Sequence, residues 1–243
     1  MPDSDSKLIP ALKSWWRDRS RRIGTIAAFL QLTAMLWEFL RDSFPDRRRQ
    51  RYGDIDYDWE HRVDTSSATV GWNTRLLGVL NSPYQPIPED EFREIMRALK
   101  IDCSQFTFVD VGSGKGRALL LAADHGFKRI IGIEILPELH RIAQQNVSRL
   151  RERGVVERIE LVCGDATRFK FPAEPMLVFL FNPLHEQALS SLLRNLESAW
   201  REKPQPSYIA YANPVHKQLL ANCGWLKKVG DFERFSIFVA GGR

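Results

Sequence analysis

Cysteine is scarce in this chain, with three among 243 residues. Cys103, Cys163 and Cys223 are odd in number, widely separated and without metal-ligand spacing. That sets aside a disulfide framework and a cysteine-built metal site, and reads as thiols kept in a reducing compartment. Long apolar runs are lacking too. The most apolar stretch, Ile23 to Leu40, is diluted by Thr25, Gln31, Thr33 and Glu38 and sits at the lower limit for crossing a bilayer. No small-residue cleavage site follows it, so a cleavable signal peptide fits poorly. Internal repeats and low-complexity tracts are absent. Positive charge is missing where a nucleic-acid surface would need it: residues 52 to 243 hold twenty-four Lys and Arg against twenty-four Asp and Glu. The excess lies in residues 1 to 51, eleven against six. Nucleic acid is therefore not the expected partner of the larger part, because that mode rests on clustered cations neutralising phosphates. With 44% apolar and 27% charged residues, the chain is rich enough in core material for one sizeable domain plus an extension.

What the chain does have is a strand, a glycine-rich turn and a helix in direct succession. Phe106 to Val109 is apolar and delivers Asp110; DVGSGKG follows; Arg117 to Asp124 reads as a helix. Glycines at 112, 114 and 116 allow a sharp turn and a close approach to the backbone. The helix start behind them points unsatisfied N–H groups and a partial positive charge at whatever sits there. The dinucleotide pattern wants its third glycine at 117, which is Arg117; here it comes one place early, at Gly116. Asp110 would repel a pyrophosphate and attract the ammonium and sulfonium of S-adenosylmethionine. Lys115 and Arg117 read as exposed charges.

Acids close the next two strands, as a nucleoside crevice at the carboxyl ends of parallel strands requires. Glu134 ends RIIGIE, where an acid that takes a ribose diol is expected, as a strand-end carboxylate facing an open crevice. Asp165 follows IELVC and is placed to accept from an adenine amine, beside Ala166. In this order the chain resembles the class I S-adenosylmethionine-dependent methyltransferases. DVGSGKG (Asp110, Gly112, Ser113, Gly114, Gly116) resembles their first motif, GIE their ribose-binding acid, GDA their adenine-binding turn and FLFNPL their fourth-strand motif. The resemblance spans roughly 84 to 243. It implies a doubly wound α/β fold: a seven-stranded, mostly parallel, Rossmann-like sheet with an antiparallel edge made by WLKKVG and FERFSIFVA. The implied cofactor is S-adenosylmethionine. Tyr84-Gln-Pro-Ile-Pro resembles the Tyr-x-Pro-x-Pro opening of a subgroup that includes protein-lysine methyltransferases.

The remaining elements follow the same alternation. Pro88 opens a helix burying Phe92, Ile95, Met96 and Leu99, and Pro137 opens one burying Leu139, Ile142, Ala143, Val147 and Leu150. Arg158 to Cys163, MLVFLF and YIAYA are strands, and His185 to Trp200 is a helix. Asn182 and Pro183 end the fourth strand, in the place where a related Asn-Pro-Pro-aromatic motif holds a substrate amine. Leu184 in the third position, with no aromatic after it, argues against a flipped nucleobase as acceptor. A second Asn-Pro stands at 213 and 214. His185 and His216, just beyond the two steps, are candidates for a base but fit helix-start or surface residues better.

Three segments are expected: a basic amphipathic helical arm at 1–51, a lid or connecting segment at 52–87 and a methyltransferase-like domain at 88–243. In the arm, Gly24, Gln31 and Glu38 recur every seven residues on one helical face. Arginines on both sides, with Trp15, Trp16 and Trp37, suit an anionic membrane surface at the inner face of a membrane; packing on the domain or a partner, and a true span, stay open. The 52–87 segment includes DTSSATVGWNTRLLGVL, which has a short helix's pattern. The function expected is methyl transfer from S-adenosylmethionine to a nitrogen of a protein or small molecule, in the cytoplasm. A nicotinamide oxidoreductase and a catalytically silent adaptor of the same fold are the alternatives.

Overall fold

The computed structural model describes residues 5–41, 55–66, 85–152, 158–181 and 184–241. The chain divides into two compact units: Met1–His61 with Ser66–Gln85, and Arg62–Thr65 with Pro86–Arg243. In the first unit, Gly24 splits the amino-terminal helical stretch. It takes φ 85°, a left-handed conformation that ends helix α1 (Asp5–Ile23) and lets α2 (Thr25–Arg41) begin. Helix α1 takes Pro10 into its second turn, forgoing one backbone bond. The two helices pack together, and Arg19 Nε donates to Gln31 Oε1 at 2.6 Å. Gln31 thus meets α1 and Ala28 is buried, while Ile26, Phe29, Leu30 and Trp37 stand exposed. Among the described residues no helix is long and apolar enough to cross a membrane. Helix α3 (Ile55–His61) stacks Tyr57 on His61, ring centroids 4.1 Å apart, and Asp58 Oδ2 accepts from Ser66 N at 2.7 Å. Asp64 to Ser66 is not helical; the rest of the short helix expected there lies outside the described residues.

The second unit is built on a seven-stranded sheet, ordered β3-β2-β1-β4-β5-β7-β6. The strands are β1 (Thr107–Val111), β2 (Arg129–Glu134), β3 (Ile159–Cys163), β4 (Met176–Phe181), β5 (Ser207–Ala212), β6 (Leu226–Asp231) and β7 (Phe235–Ala240). The first five run parallel, and β7 is antiparallel to β5 and to β6. This is the mostly parallel sheet with an antiparallel edge that the sequence leads one to expect. Its helices are α4 (Glu89–Leu99), α5 (Arg117–Ala123), α6 (Pro137–Arg151), α7 (Glu186–Glu202) and α8 (Lys217–Ala221).

Both faces of the sheet are covered, which is why the central strand β4, MLVFLF, is apolar at every position and its neighbours are largely so. Val109, Val111, Ile131, Ile133, Val178, Leu180, Ile209 and Tyr211 face Leu189, Leu192, Leu193 and Leu196 of α7. The alternate positions face the other layer. Phe108 and Phe179 meet Phe92 of α4, with ring centroids 5.9 and 5.6 Å from it, and Phe108 meets Phe127 at 5.1 Å. Asp110, Gly132 and Glu134 share the parity of this second layer, with Asp110 opposite Gly132 in the β1/β2 register.

Candidate ligand site at the glycine turn

Three sequence stretches meet at the carboxyl edge of β1, β2 and β3, and backbone bonds tie them together. Gly112 N and Ser113 N donate to Ile133 O at 2.8 and 3.0 Å, which ends β1 against the end of β2. Gly164 N donates to Glu134 O at 2.9 Å, bringing the GDA turn alongside. Gly112, Gly114 and Gly116 have φ of 75°, 54° and 89°, the left-handed region where a Cβ is penalised, so the turn needs glycine at each. Gly132 is required for a different reason. A Cβ there would lie 2.5 Å from Leu119 Cδ1 and 3.0 Å from Ser113 Oγ. Helix α5 therefore seats directly on β2, with the turn held between them.

The acids are less open than the sequence suggests. Glu134 is buried, its Oε2 accepting from Gly114 N at 2.8 Å and its Oε1 from Leu136 N at 2.7 Å. This corrects the expectation of a free carboxylate facing a crevice, since Glu134 also braces the turn. Two of its roughly four acceptor sites are taken by these bonds. Burial raises its pKa, and the backbone N–H bonds oppose the rise. Asp110 is buried as well, and among the described residues its carboxylate has no hydrogen-bond partner. Burial, with a smaller contribution from the charge of Glu134, pushes its pKa up to about 8. Ser113 Oγ is buried without a hydrogen-bond partner among the described residues. A left-handed glycine turn, an unpartnered acid and an orphaned hydroxyl at one spot have the chemistry of a cradle for a polar ligand with a cationic group.

Asp165 is exposed and caps the short turn Ala166–Arg168, its Oδ1 accepting from Thr167 N at 2.9 Å and from Thr167 Oγ1 at 2.7 Å. Ala166 is buried beneath it. Asn182 and Pro183 lie outside the described residues. β4 and β5 end in register, Phe181 opposite Ala212, and Asn213 follows with φ 45°, its N–H donating to Arg234 O at 2.8 Å. His185 is a helix start: it caps α7, its Nδ1 accepting from Ala188 N at 3.2 Å. His216 precedes α8, and its N–H donates to Tyr211 Oη at 3.3 Å.

Lys115 and Arg117 are where the sequence misleads. Expected as exposed charges, they are 0% and 2% exposed. Ala118 to Ala122 of α5 are all buried, and a helix apolar all round is covered all round, so charges at its start go in with it. ALLLAA carried that signal. Nothing in the sequence marked Asn146 of α6, which is fully buried and bonded to the turn residue Lys115.

Known proteins resemble this chain in sequence and fold. A family profile described as a methyltransferase domain matches residues 108–203. A curated protein-lysine N-methyltransferase of Saccharolobus islandicus is 29% identical over 121 residues, covering 49% of this chain and 73% of the relative. Among solved structures, a Salinibacter ruber RNA methyltransferase in complex with S-adenosyl-L-homocysteine is similar at 22% identity, TM-score 0.44, covering 65% of this chain and 93% of that one. A SAM-dependent methyltransferase from Aquifex aeolicus is similar at 14% identity, TM-score 0.47, covering 64% and 99%. The methyltransferase profile and the curated relative do not favour the nicotinamide or adaptor alternatives. The profile match across β1 to α7 and the motif order around one sheet edge support a class I S-adenosylmethionine-dependent methyltransferase.

Proposed function

We propose that the chain methylates a nitrogen, with a protein lysine as the acceptor. The observation that carries this is the relationship to a protein-lysine N-methyltransferase over 121 residues. The neutral charge balance of residues 52 to 243 supports it by disfavouring a nucleic-acid acceptor.

In this reading Asp110, Gly112, Ser113, Gly114, Gly116, Glu134, Asp165 and Ala166 hold the cofactor. Bound S-adenosylmethionine supplies a methyl group on a sulfonium, ready for in-line displacement. Asp110 faces the cationic amino-acid end, where its buried carboxylate gains an opposite charge. Ser113 Oγ and the turn N–H groups donate to the ligand's acceptors. Glu134 takes the ribose diol on its remaining lone pairs while bracing Gly114. Asp165, its Oδ1 committed to Thr167, offers its other oxygen to the adenine amine. Asn182 holds the acceptor amine through its side-chain carbonyl, helped by the backbone at Pro183. Little more is needed, since holding a nucleophile in line and excluding water supplies most of the acceleration for such a leaving group.

The arm is a separable peripheral element. Exposed Ile26, Phe29, Leu30 and Trp37 on α2, with Lys13, Arg17, Arg21 and Arg22 exposed on α1, suit an anionic membrane surface. The deciding experiment incubates the protein with an extract and deuterium-labelled methyl donor, followed by peptide mass spectrometry. Labelled lysine in a protein is the expected result. Label found only in RNA or in small molecules would overturn the acceptor class.

A further inference from the structure

A segment remote in sequence is fastened to the turn. Lys115 Nζ lies 2.8 Å from Asp64 Oδ1, and Arg117 Nε donates to the hydroxyl of Thr65, which is fully buried. Asn146 binds on both sides: its Oδ1 accepts from Asp64 N at 2.9 Å, and its Nδ2 donates to Asp64 O at 2.8 Å and Lys115 O at 3.0 Å. Arg149 of the same helix donates to Arg62 O at 3.4 Å. Arg62–Thr65 accordingly belongs to the sheet unit, whereas its sequence neighbours on both sides do not. Burying a lysine and an arginine is costly unless they are paired, and here Asp64 and Thr65 of this segment each supply a partner.

The anchor points fall on the turn itself. Glu134 holds the N–H of Gly114 and Asn146 holds the carbonyl of Lys115, so consecutive residues are gripped by α6 and by β2. Asn146 can grip Lys115 and Asp64 at once only while Arg62–Thr65 is in place. We propose that Asp64, Lys115 and Asn146 are positioning residues for cofactor binding: docking of Arg62–Thr65 sets the conformation of Gly112–Gly116, and docking and cofactor occupancy strengthen each other. This rests on the reading of the turn as the cofactor cradle. Linkage makes the coupling reciprocal: if the docked segment improves affinity by some factor, the cofactor favours docking by the same factor.

Hydrogen exchange of the full chain, with and without saturating S-adenosylhomocysteine, tests both directions. Slowed exchange is expected in peptides covering 110–116 and also in those covering 62–66. Protection of 110–116 without 62–66 overturns the coupling alone. No protection of 110–116 in a chain that binds the ligand overturns the cradle reading beneath it. Calorimetry on Lys115→Met, Asp64→Asn and Lys115→Arg supplies the second arm. The first two are expected to weaken S-adenosylhomocysteine about tenfold, with Lys115→Arg restoring part of the affinity. The double variant Asp64→Asn/Lys115→Met should weaken binding by less than the two single effects combined, because both remove the same Lys115–Asp64 ion pair. Folded variants with lower Tm and wild-type affinity would show that the pair only packs the fold, and would overturn the proposal.

Discussion

Glu134→Ala removes an acceptor that two backbone donors share. Gly114 N and Leu136 N approach its carboxylate at 2.8 and 2.7 Å, and the side chain is 5% exposed. A hydrogen bond to a charged group contributes about 1.5 to 3 kcal/mol. Two such bonds set the gross penalty; the cost of burying the carboxylate, visible in its raised pKa, offsets part of it. A net destabilisation of about 2 to 4 kcal/mol remains. For a domain of this size that corresponds to a fall in Tm of roughly 5 to 15 °C. Affinity for S-adenosylhomocysteine should drop by about tenfold for each 1.4 kcal/mol of binding free energy that the ribose hydrogen bonds had supplied. Thermal unfolding by circular dichroism and calorimetric titration well below Tm measure the two effects separately. Glu134→Gln should fall between, since its amide accepts one N–H and turns a donor toward the other. A Tm within about 2 °C of wild type would refute the bracing role. A lowered Tm with unchanged affinity would refute the ribose role.

Asp110 gives a pH prediction. Its folded pKa of about 8 lies above the ordinary 3.8, so between those values the folded chain keeps a proton that the unfolded chain has lost. Its contribution is complete below about pH 4 and is lost as pH rises through about 8. Asp110→Asn should therefore raise Tm at pH 8.5 and leave it nearly unchanged at pH 4; equal shifts at both would count against the buried, unpartnered carboxyl. Gly132→Ala should cost about 1 to 3 kcal/mol in urea unfolding, because Leu119 and Ser113 must both give way; an unchanged midpoint would mean that α5 moves freely on β2. Deleting residues 1–44 should abolish sedimentation with anionic vesicles and leave S-adenosylmethionine affinity intact, and a folded truncated chain that no longer binds the cofactor would place the arm in the site.

The strands were legible because burial on both faces leaves an unbroken apolar signature. RIIGIE and MLVFLF correspond residue for residue to β2 and β4. Helix α4 was legible for the complementary reason: Phe92, Ile95, Met96 and Leu99 repeat at helical spacing, and all are buried. The ends of strands were harder. β1 runs on through Asp110 to Val111, since a charged residue in a strand gives no sign that its neighbours bury it. Gly24 was read as part of a polar stripe and acts as a helix terminator, a difference of φ that side-chain chemistry does not encode. The double role of Glu134 was hidden because its partners are backbone N–H groups, which every non-proline residue carries alike. The grip on Lys115 was hidden for another reason: Asp64 lies 51 residues away, and no local period links the two.

On the proposed arrangement, the charges around the turn favour the methyl donor over its product. Asp110 and Glu134 are both buried at one sheet edge, and each carries a raised pKa. Lys115, the buried cation of the turn, has its Nζ 2.8 Å from Asp64 Oδ1, so its charge is engaged there. Positive charge delivered beside Asp110 therefore meets an acid that desolvation has left at a disadvantage, and each displaced proton improves the attraction. Donor and product share the amine that supplies such charge, but only the donor adds a sulfonium. On the proposed arrangement the donor is held more tightly, the preference shrinks as pH falls below about 8 and Asp110 takes up its proton, and it shrinks with salt far less than a surface pair would. A turnover cycle profits from that asymmetry: removing the sulfonium charge by methyl transfer weakens the hold of the site on what is left.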